Sequence, residues 1–387
     1  MSRHQSELRP TAPEADVDKI NIMIVDDSAV IRGLVTRWIQ EETDLVVCAS
    51  ASDGAMALTQ MEKSRPDVVI LDIEMPRMDG LTALPKLLEI DPRAKIVMSS
   101  TLTTRNAEVS IKALSLGASD YLAKPEASRD PQIANAFRRE LLAKVRALGG
   151  ARRMRPRTAA PAVASGKTET LVRSRPEGGL YGNSPIVVRN TVLGRPDVIA
   201  IGSSTGGPQA LMTVFQNLNA PLDQPVLITQ HMPGTFTKIL AQHLDKLPGV
   251  NCAEAQDGEK LERGRVYLAP GDYHMVVNQT AGGPTVSLNQ DAPENFCRPA
   301  VDPLFRSLAQ SFGKKVLAIV LTGMGHDGLN GGQAIVSAGG MVIAQDETSS
   351  VVWGMPGAVA TGGLCSAVLP VSEIGQTVRR LATGGGL

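Results

Sequence analysis

Two groups of residues in this chain have the types and spacing to do chemistry. The first is acidic: Asp26 and Asp27 close the apolar run INIMIVDD, and Asp72 closes DVVILD. Ser100 ends KIVMSS, with Thr101 the competing hydroxyl one residue later, and Lys124 ends DYLAK. If these runs are parallel strands, all five groups meet at the carboxyl edge of one sheet, where open α/β folds bind ligands. Three acids in one pocket repel unless a cation joins them. Mg²⁺ suits that role, because it takes a few carboxylates, keeps waters and bridges to phosphate oxygens. The hydroxyl and the lysine charge then help to hold a phosphoryl group on Asp72. A single acid at a strand end is more often a helix cap, but groups of these types at successive strand ends point to one site.

The second group is built on Gly202-Ser203-Ser204-Thr205-Gly206-Gly207, between an apolar strand and a helix carrying Leu211, Val214, Phe215 and Leu218 on one face. This is G-x-S-x-G centred on Ser204, with the mechanics of a nucleophile elbow: an exposed serine on a tight turn, close backbone approach, and helix N–H groups nearby for an oxyanion. A phosphate loop would need lysine where this chain has Gly207-Pro208. A plain strand-to-helix turn is the competing reading of the motif taken alone. Two further strand ends argue against it. PVLITQH ends at His231, and KVLAIVLTGMGHDG ends in a glycine-rich turn holding Asp327. Serine is unreactive until a base takes its proton, so Ser204, His231 and Asp327 are the nucleophile, base and orienting acid that one sheet edge would assemble. Met324, in the same turn as Asp327, is the natural backbone oxyanion donor. His274 and His326 are competing pocket members, whereas His243 lies in the helical pattern LAQHLDKL and reads as surface. Cys297, in ENFCRPAVDPLF, reads as a packed thiol.

The elements that must position these groups alternate regularly. Residues 20–147 run through five β-type segments separated by amphipathic helical patterns, the form of a doubly wound parallel sheet. The clearest helix carries Val30, Ile31, Leu34, Val35, Trp38 and Ile39 on one face. Residues 148–195 mix scattered arginines with Pro, Gly, Ala, Ser and Thr and read as a flexible basic linker. From 196 to 385 the alternation returns, with helical patterns near 207–218, 234–246, 302–312 and 329–338. HMVVNQ and TVSLNQ, separated by TAGGP, form an inserted antiparallel hairpin. The expected architecture is two α/β units: a flavodoxin-like one, then a mostly parallel sheet with a β insertion.

Composition narrows the class. With 387 residues and 43% apolar content the chain supports two cores. Lys plus Arg equals Asp plus Glu at 39 each and aromatics are 3%, so neither a basic footprint nor base-stacking platforms mark it for nucleic acid. The four cysteines form no C-x-x-C pair and read as reduced thiols. No run of about 18 apolar residues occurs, so no membrane insertion is expected and the cytoplasm is the expected compartment.

VDDS, LDIEMPRMDG, MSST and YLAKP together resemble the response-regulator receiver family over residues 20–147. That resemblance implies Asp72 as phosphoacceptor, Asp26 and Asp27 as Mg²⁺ ligands with it, and Ser100 and Lys124 as the residues that carry the change of state. IGSSTGGPQA, ITQHMPGTFT, YLAPGDYHM, RPAVDPLF, LTGMGHDG and VVWGMPGAVA resemble, in the same order, the catalytic domain of the chemotaxis protein-glutamate methylesterase family. This second resemblance implies Ser204 as nucleophile, His231 as base, Asp327 as its partner, and the region of Met324 and Thr205 as the oxyanion site. It implies hydrolysis of glutamate methyl esters on chemoreceptors, releasing methanol, and deamidation of glutamines by the same site. It also implies a chemotaxis histidine kinase as phosphodonor and an unphosphorylated receiver that covers the active site. Phe296-Cys297 departs from the more polar residues of the family at that place. Two other readings remain: a receiver-controlled binding module without turnover, and an esterase acting on a receptor outside chemotaxis.

Overall fold

The computed structural model describes residues 19–101, 103–124, 131–153, 186–191 and 194–387. In the first unit β1 (Ile20–Val25), β2 (Leu45–Ala51), β3 (Val68–Asp72), β4 (Lys95–Thr101) and β5 (Asp120–Lys124) alternate with α1 (Ala29–Gln40), α2 (Gly54–Ser64), α3 (Gly80–Ile90), α4 (Thr104–Ser115) and α5 (Pro131–Arg153). All strand pairs are parallel, in the order β2-β1-β3-β4-β5. This is the doubly wound arrangement expected from the alternation, and β3 is buried along its whole length, as a sheet covered on both faces requires.

Short polar residues start the helices. Ser28, Asp53, Asp79 and Thr103 each accept an N–H from the first turn of α1, α2, α3 and α4. The cap of α1 is therefore Ser28, which leaves Asp26 and Asp27 for other work. On α1 the buried residues are Val35, Trp38 and Ile39, while Val30, expected on the same face, is exposed beside the acids. The last helix, α5, carries residues 148–153 of the expected linker, and Arg152 and Arg153 bind Asp67 rather than standing free. The rest of that linker up to residue 185 lies outside the described residues.

The second unit is a seven-stranded, wholly parallel sheet plus a separate hairpin. Its elements are β6 (Val198–Ser203), α6 (Gly207–Gln216), β7 (Val226–Gln230), α7 (Gly234–Asp245), β8 (Cys252–Glu254), β9 (Val266–Leu268), the hairpin β10 (His274–Thr280) and β11 (Gly283–Asn289), α8 (Val301–Phe312), β12 (Val316–Val320), α9 (Leu329–Ser337), β13 (Met341–Gln345), α10 (Met355–Thr361), β14 (Cys365–Leu369) and α11 (Val371–Ala382). The strand order is β14-β13-β12-β6-β7-β9-β8. The chain winds outward from β6 on one side through β7, then returns to place β12 on the other. The crevice at the ends of β7, β6 and β12 is thus a topological switch point, where such sheets bind ligands.

The two units pack on each other. Tyr121 of β5 stacks on Phe236 of α7, rings 4.3 Å apart at 15°, and both are buried. One apolar core runs through both units, from Ile111 and Leu114 of α4 to Leu211 and Leu240 of α6 and α7. Among the described residues no helix is long and apolar enough to cross a membrane.

Candidate active site

Ser204 sits immediately after β6 on a turn that Gly206 closes at φ +75°, a backbone state costly for other residues. The turn is held from three sides. Ser204 N–H donates to Thr322 O at 3.0 Å, Thr322 Oγ1 donates to Thr205 O at 2.8 Å, and Gln230 Nε2 donates to Ser204 O at 2.9 Å. Ser203, the other serine of the motif, is fully buried and donates to Gln230 Oε1 at 2.7 Å. That leaves Ser204, half-buried, as the serine open to the crevice.

His231 follows β7, and its Nε2 lies 2.7 Å from Asp327 Oδ2. Asp327 is 1% exposed, yet its carboxylate is fully solvated by the protein. Oδ2 accepts Val301 N–H at 2.6 Å, and Oδ1 accepts the N–H groups of Asp302 and Gly328 at 3.0 Å each and Asn295 Nδ2 at 3.1 Å. Burial disfavours the ion, but His231 and these N–H groups at the start of α8 outweigh it and hold the carboxyl below its usual range. For His231 burial likewise opposes charge, and the Cys297 side chain and Asp327 overcome it, so the imidazole is raised above its ordinary value.

Nε2 is engaged by Asp327 and the Cys297 side chain also hydrogen-bonds the ring; among the described residues there is no Ser204–His231 hydrogen bond. Met324 N–H donates to nothing among the described residues, and with the turn after Ser204 it frames an oxyanion position. The sheet edge thus brings Ser204, His231, Asp327, Thr205 and Met324 together.

The competing histidines are elsewhere occupied. His274 is buried, its Nδ1 accepting Ala300 N–H at 3.2 Å and its Nε2 lying 3.2 Å from Ala292 O, so it pins the loop before α8. His326 is exposed. His243 is half-buried rather than surface, lining a cleft with Leu114 and Gln209 between the two units. Cys297 does have a histidine context: the fold brings it to His231, a residue far away in sequence. Asp302, Thr322 and Gln230, which bind backbone, and Asn295, which donates to the Asp302 and Asp327 carboxylates, were not legible as site residues, because no motif marks a polar side chain with such supporting work.

In the first unit Asp26 and Asp72 are buried and Asp27 is exposed. Their carboxylates each offer an oxygen within 4.8 Å of the others. Lys124 Nζ bridges Asp26 and Asp72 at 2.7 Å each. Burial pushes the Asp72 carboxyl up to about 6, against the pull of Lys124. The acid cluster with one flexible cation beside it has the donor set and the size for Mg²⁺. Ser100 is buried and shares a 3.2 Å hydrogen bond with Ser110 of α4. Thr101 ends β4 exposed and accepts Asn106 Nδ2 at 2.8 Å.

The first unit reaches the nucleophile turn through the opposite end of β5. Thr205 Oγ1 donates to Asp120 Oδ2 at 2.8 Å, and Gln209 Nε2 donates to Ala118 O at 2.8 Å and to Leu114 O. Lys144 neutralises Asp120 at 3.2 Å and donates to Tyr121 O at 2.6 Å. Arg139 of α5 lies 5.3 Å from the Phe296 ring centroid.

Comparison with known proteins agrees with these two halves. Residues 199–378 match the CheB methylesterase family model and residues 22–135 the response regulator receiver domain. The chain is 54% identical over 380 residues to the protein-glutamate methylesterase/protein-glutamine glutaminase 1 of Paramagnetospirillum magneticum, covering 96% of this chain and 98% of the relative. It is 53% identical over 376 residues to the protein-glutamate methylesterase/protein-glutamine glutaminase of Azospirillum brasilense, covering 95% of this chain and 93% of the relative. The crystal structure of the Thermotoga maritima CheB methylesterase catalytic domain is similar with 39% identity and a TM-score of 0.47, covering 48% of this chain and 98% of that one.

Proposed function

Since the chain belongs to the CheB methylesterase family, with a response regulator receiver domain ahead of the esterase, we propose that Ser204, His231 and Asp327 carry its protein-glutamate methylesterase and protein-glutamine glutaminase activities. The observation that carries this assignment is the 2.7 Å His231–Asp327 bond beside the Ser204 turn, at the switch point of the sheet.

Ser204 Oγ attacks the γ-carbonyl carbon of a methylated glutamate while its proton passes to His231. The oxyanion of the tetrahedral intermediate takes the N–H of Met324 and the N–H at Thr205. Collapse breaks the ester C–O bond, and the leaving oxygen takes the imidazolium proton to depart as methanol. Water, deprotonated by the same imidazole, then releases the acyl group from Ser204 as glutamate. With glutamine the leaving group is ammonia and the steps are otherwise the same. Asp327 keeps the imidazole in one tautomer and stabilises its charge. The substrate class is the methyl-accepting chemoreceptors, the phosphodonor a chemotaxis histidine kinase, and the place of action the cytoplasm.

Control belongs to the receiver. The division is 20–153 for the receiver, which takes in the end of α5, 154–195 for a linker and 196–385 for the esterase. Asp72 is the phosphoacceptor. Asp26, Asp27 and Asp72 would hold Mg²⁺, which would neutralise the clustered acids and the phosphoryl oxygens. Lys124 contacts the phosphoryl group, and Ser100 reaches it by giving up its bond to Ser110 of α4. Because α4 and β5 also hold the Ser204 turn through Gln209 and Thr205, the docked receiver is the inhibited state, and phosphorylation weakens that contact.

The test is methanol release from a methylated receptor cytoplasmic fragment, with and without Mg²⁺ and a small phosphodonor. Wild type should respond to the donor, Ser204→Ala should be inactive, and Asp72→Asn should keep basal activity but lose the response. Methanol release that survives Ser204→Ala would sink the triad assignment.

A further inference from the structure

α8 and α9 start side by side, and each is capped by the acid of the other. Asp327, before α9, accepts the Val301 and Asp302 N–H groups at the start of α8 at 2.6 and 3.0 Å. Asp302, in the first turn of α8, accepts the Gly328 and Gly331 N–H groups at the start of α9 at 3.0 and 2.6 Å. Neither helix has a cap of its own, since Ala300 and Gly328 at the two cap positions offer no side-chain acceptor. Asn295 joins the acids, its Nδ2 lying 3.1 Å from Asp327 Oδ1 and 3.3 Å from Asp302 Oδ2. Both carboxylates are buried.

We infer that Asp302 is a positioning residue for the hydrolysis: through Gly328 and Asn295, which both also bind Asp327, it fixes the orientation of Asp327 and hence of the His231 ring. This rests on the proposed triad. The terminal torsion of an aspartate is soft, so Asp327 keeps its aim only while its donors are themselves held. Asp302 holds them, its carboxyl oxygens taking the Gly328, Gly331 and Asn295 donors. Burial and the neighbouring Asp327 charge raise the Asp302 carboxyl above its ordinary range. Burial aside, the groups acting on His231 are Cys297 and Asp327, and Asp302 is joined to Asp327 through Asn295. Arg306 acts on both acids and is itself paired with Glu294.

The experiment uses the full chain and the variants Asp302→Asn and Asn295→Ala. NMR follows the titration of the His231 imidazole and the low-field resonance of its Asp327-bound proton; pH profiles of kcat and KM are measured on donor-activated enzyme. Asp302→Asn should lower the His231 pKa, because Asp327, one of the groups that raises it, no longer keeps its aim on the ring. It should lower kcat by about 10- to 100-fold with KM little changed, the cost of a misaligned catalytic group. Asn295→Ala should displace or broaden the low-field resonance without any change of charge, and it decides the matter if Asp302→Asn does not fold. Wild-type titration and resonance in the folded variants, with activity following only the folded fraction, would overturn the inference. The imidazole signals need no substrate, so failure of the esterase assignment and failure of the Asp302 role are read separately.

Discussion

Gly323 approaches Ser204 so closely that a methyl group on it would lie 2.8 Å from Ser204 Cβ and 3.1 Å from its nitrogen, and would also strike Met355 Sδ. The turn carrying Met324 and the turn carrying Ser204 are thereby held close together, and the proposed oxyanion position depends on that spacing. Gly323→Ala should push them apart, lowering kcat on the order of 100-fold while stability falls by only about 1–3 kcal/mol. Kinetics on variant still folded by circular dichroism would check it, and near-wild-type kcat would count against the oxyanion placement. The same scale sets the pH response. Cys297 and Asp327 raise the imidazole of His231, and a base works only when unprotonated, so the acid limb of kcat/KM should lie above the ordinary imidazole range. Cys297→Ala removes one of the two influences and should move that limb to lower pH. A limb that stays in place would mean Cys297 does not act on the base.

At the scale of elements, α8 and α9 meet through Gly331, where a Cβ would lie 2.5 Å from Phe305 Cβ and 3.0 Å from Asp302 O. Alanine gains up to about 1 kcal/mol of helix propensity over glycine, but overpacking at a contact this close costs about 1–3 kcal/mol. Gly331→Ala should therefore lower the melting temperature, and because the reciprocal caps lie there, it should lower kcat as well. A stabilised variant would show that the helices have room to separate. The sheet that carries the proposed triad was largely legible: strand ends pointed to Ser204, His231 and Asp327, and β alternation marked the strands that adjoin them. The short edge strands β8 and β14 escaped, since a three-residue CAE and the segment CSAVL carry too little periodicity. α11 escaped although Ile374, Val378 and Leu381 hold helical spacing and are buried. Asn295 and Asp302 were illegible for a different reason: the partners of Asp302 are backbone N–H groups of α9 and those of Asn295 are the two carboxylates, all brought near by the packing of α8 on α9, and sequence spacing does not encode them.

At the scale of the whole molecule, β5 links the two sites, with Lys124 in the acid pocket at one end and Asp120 against Thr205 at the other. Charge in the pocket can therefore reach the esterase through one strand and the adjoining α4, provided docking is only marginally stable. Gln209 offers a clean measure of that margin, because its amide binds the Leu114 and Ala118 carbonyls across the interface and it takes no part in catalysis. Removing it leaves the Ala118 carbonyl poorly satisfied only while the units are docked, since water satisfies it when they are apart, whereas Leu114 O keeps the Gly117 N–H. The loss of about 1–3 kcal/mol expected for such groups should multiply the undocked population by roughly 5- to 150-fold. Gln209→Ala should thus raise methanol release without phosphodonor and shrink the response to it, while the fully phosphorylated rate stays at the wild-type level. Amide hydrogen exchange should show α4 and α6 losing protection together in the unphosphorylated variant. Unchanged basal activity with unchanged protection would mean that docking does not rest on this contact, and the apolar stack of Tyr121 on Phe236 would then carry the inhibited state.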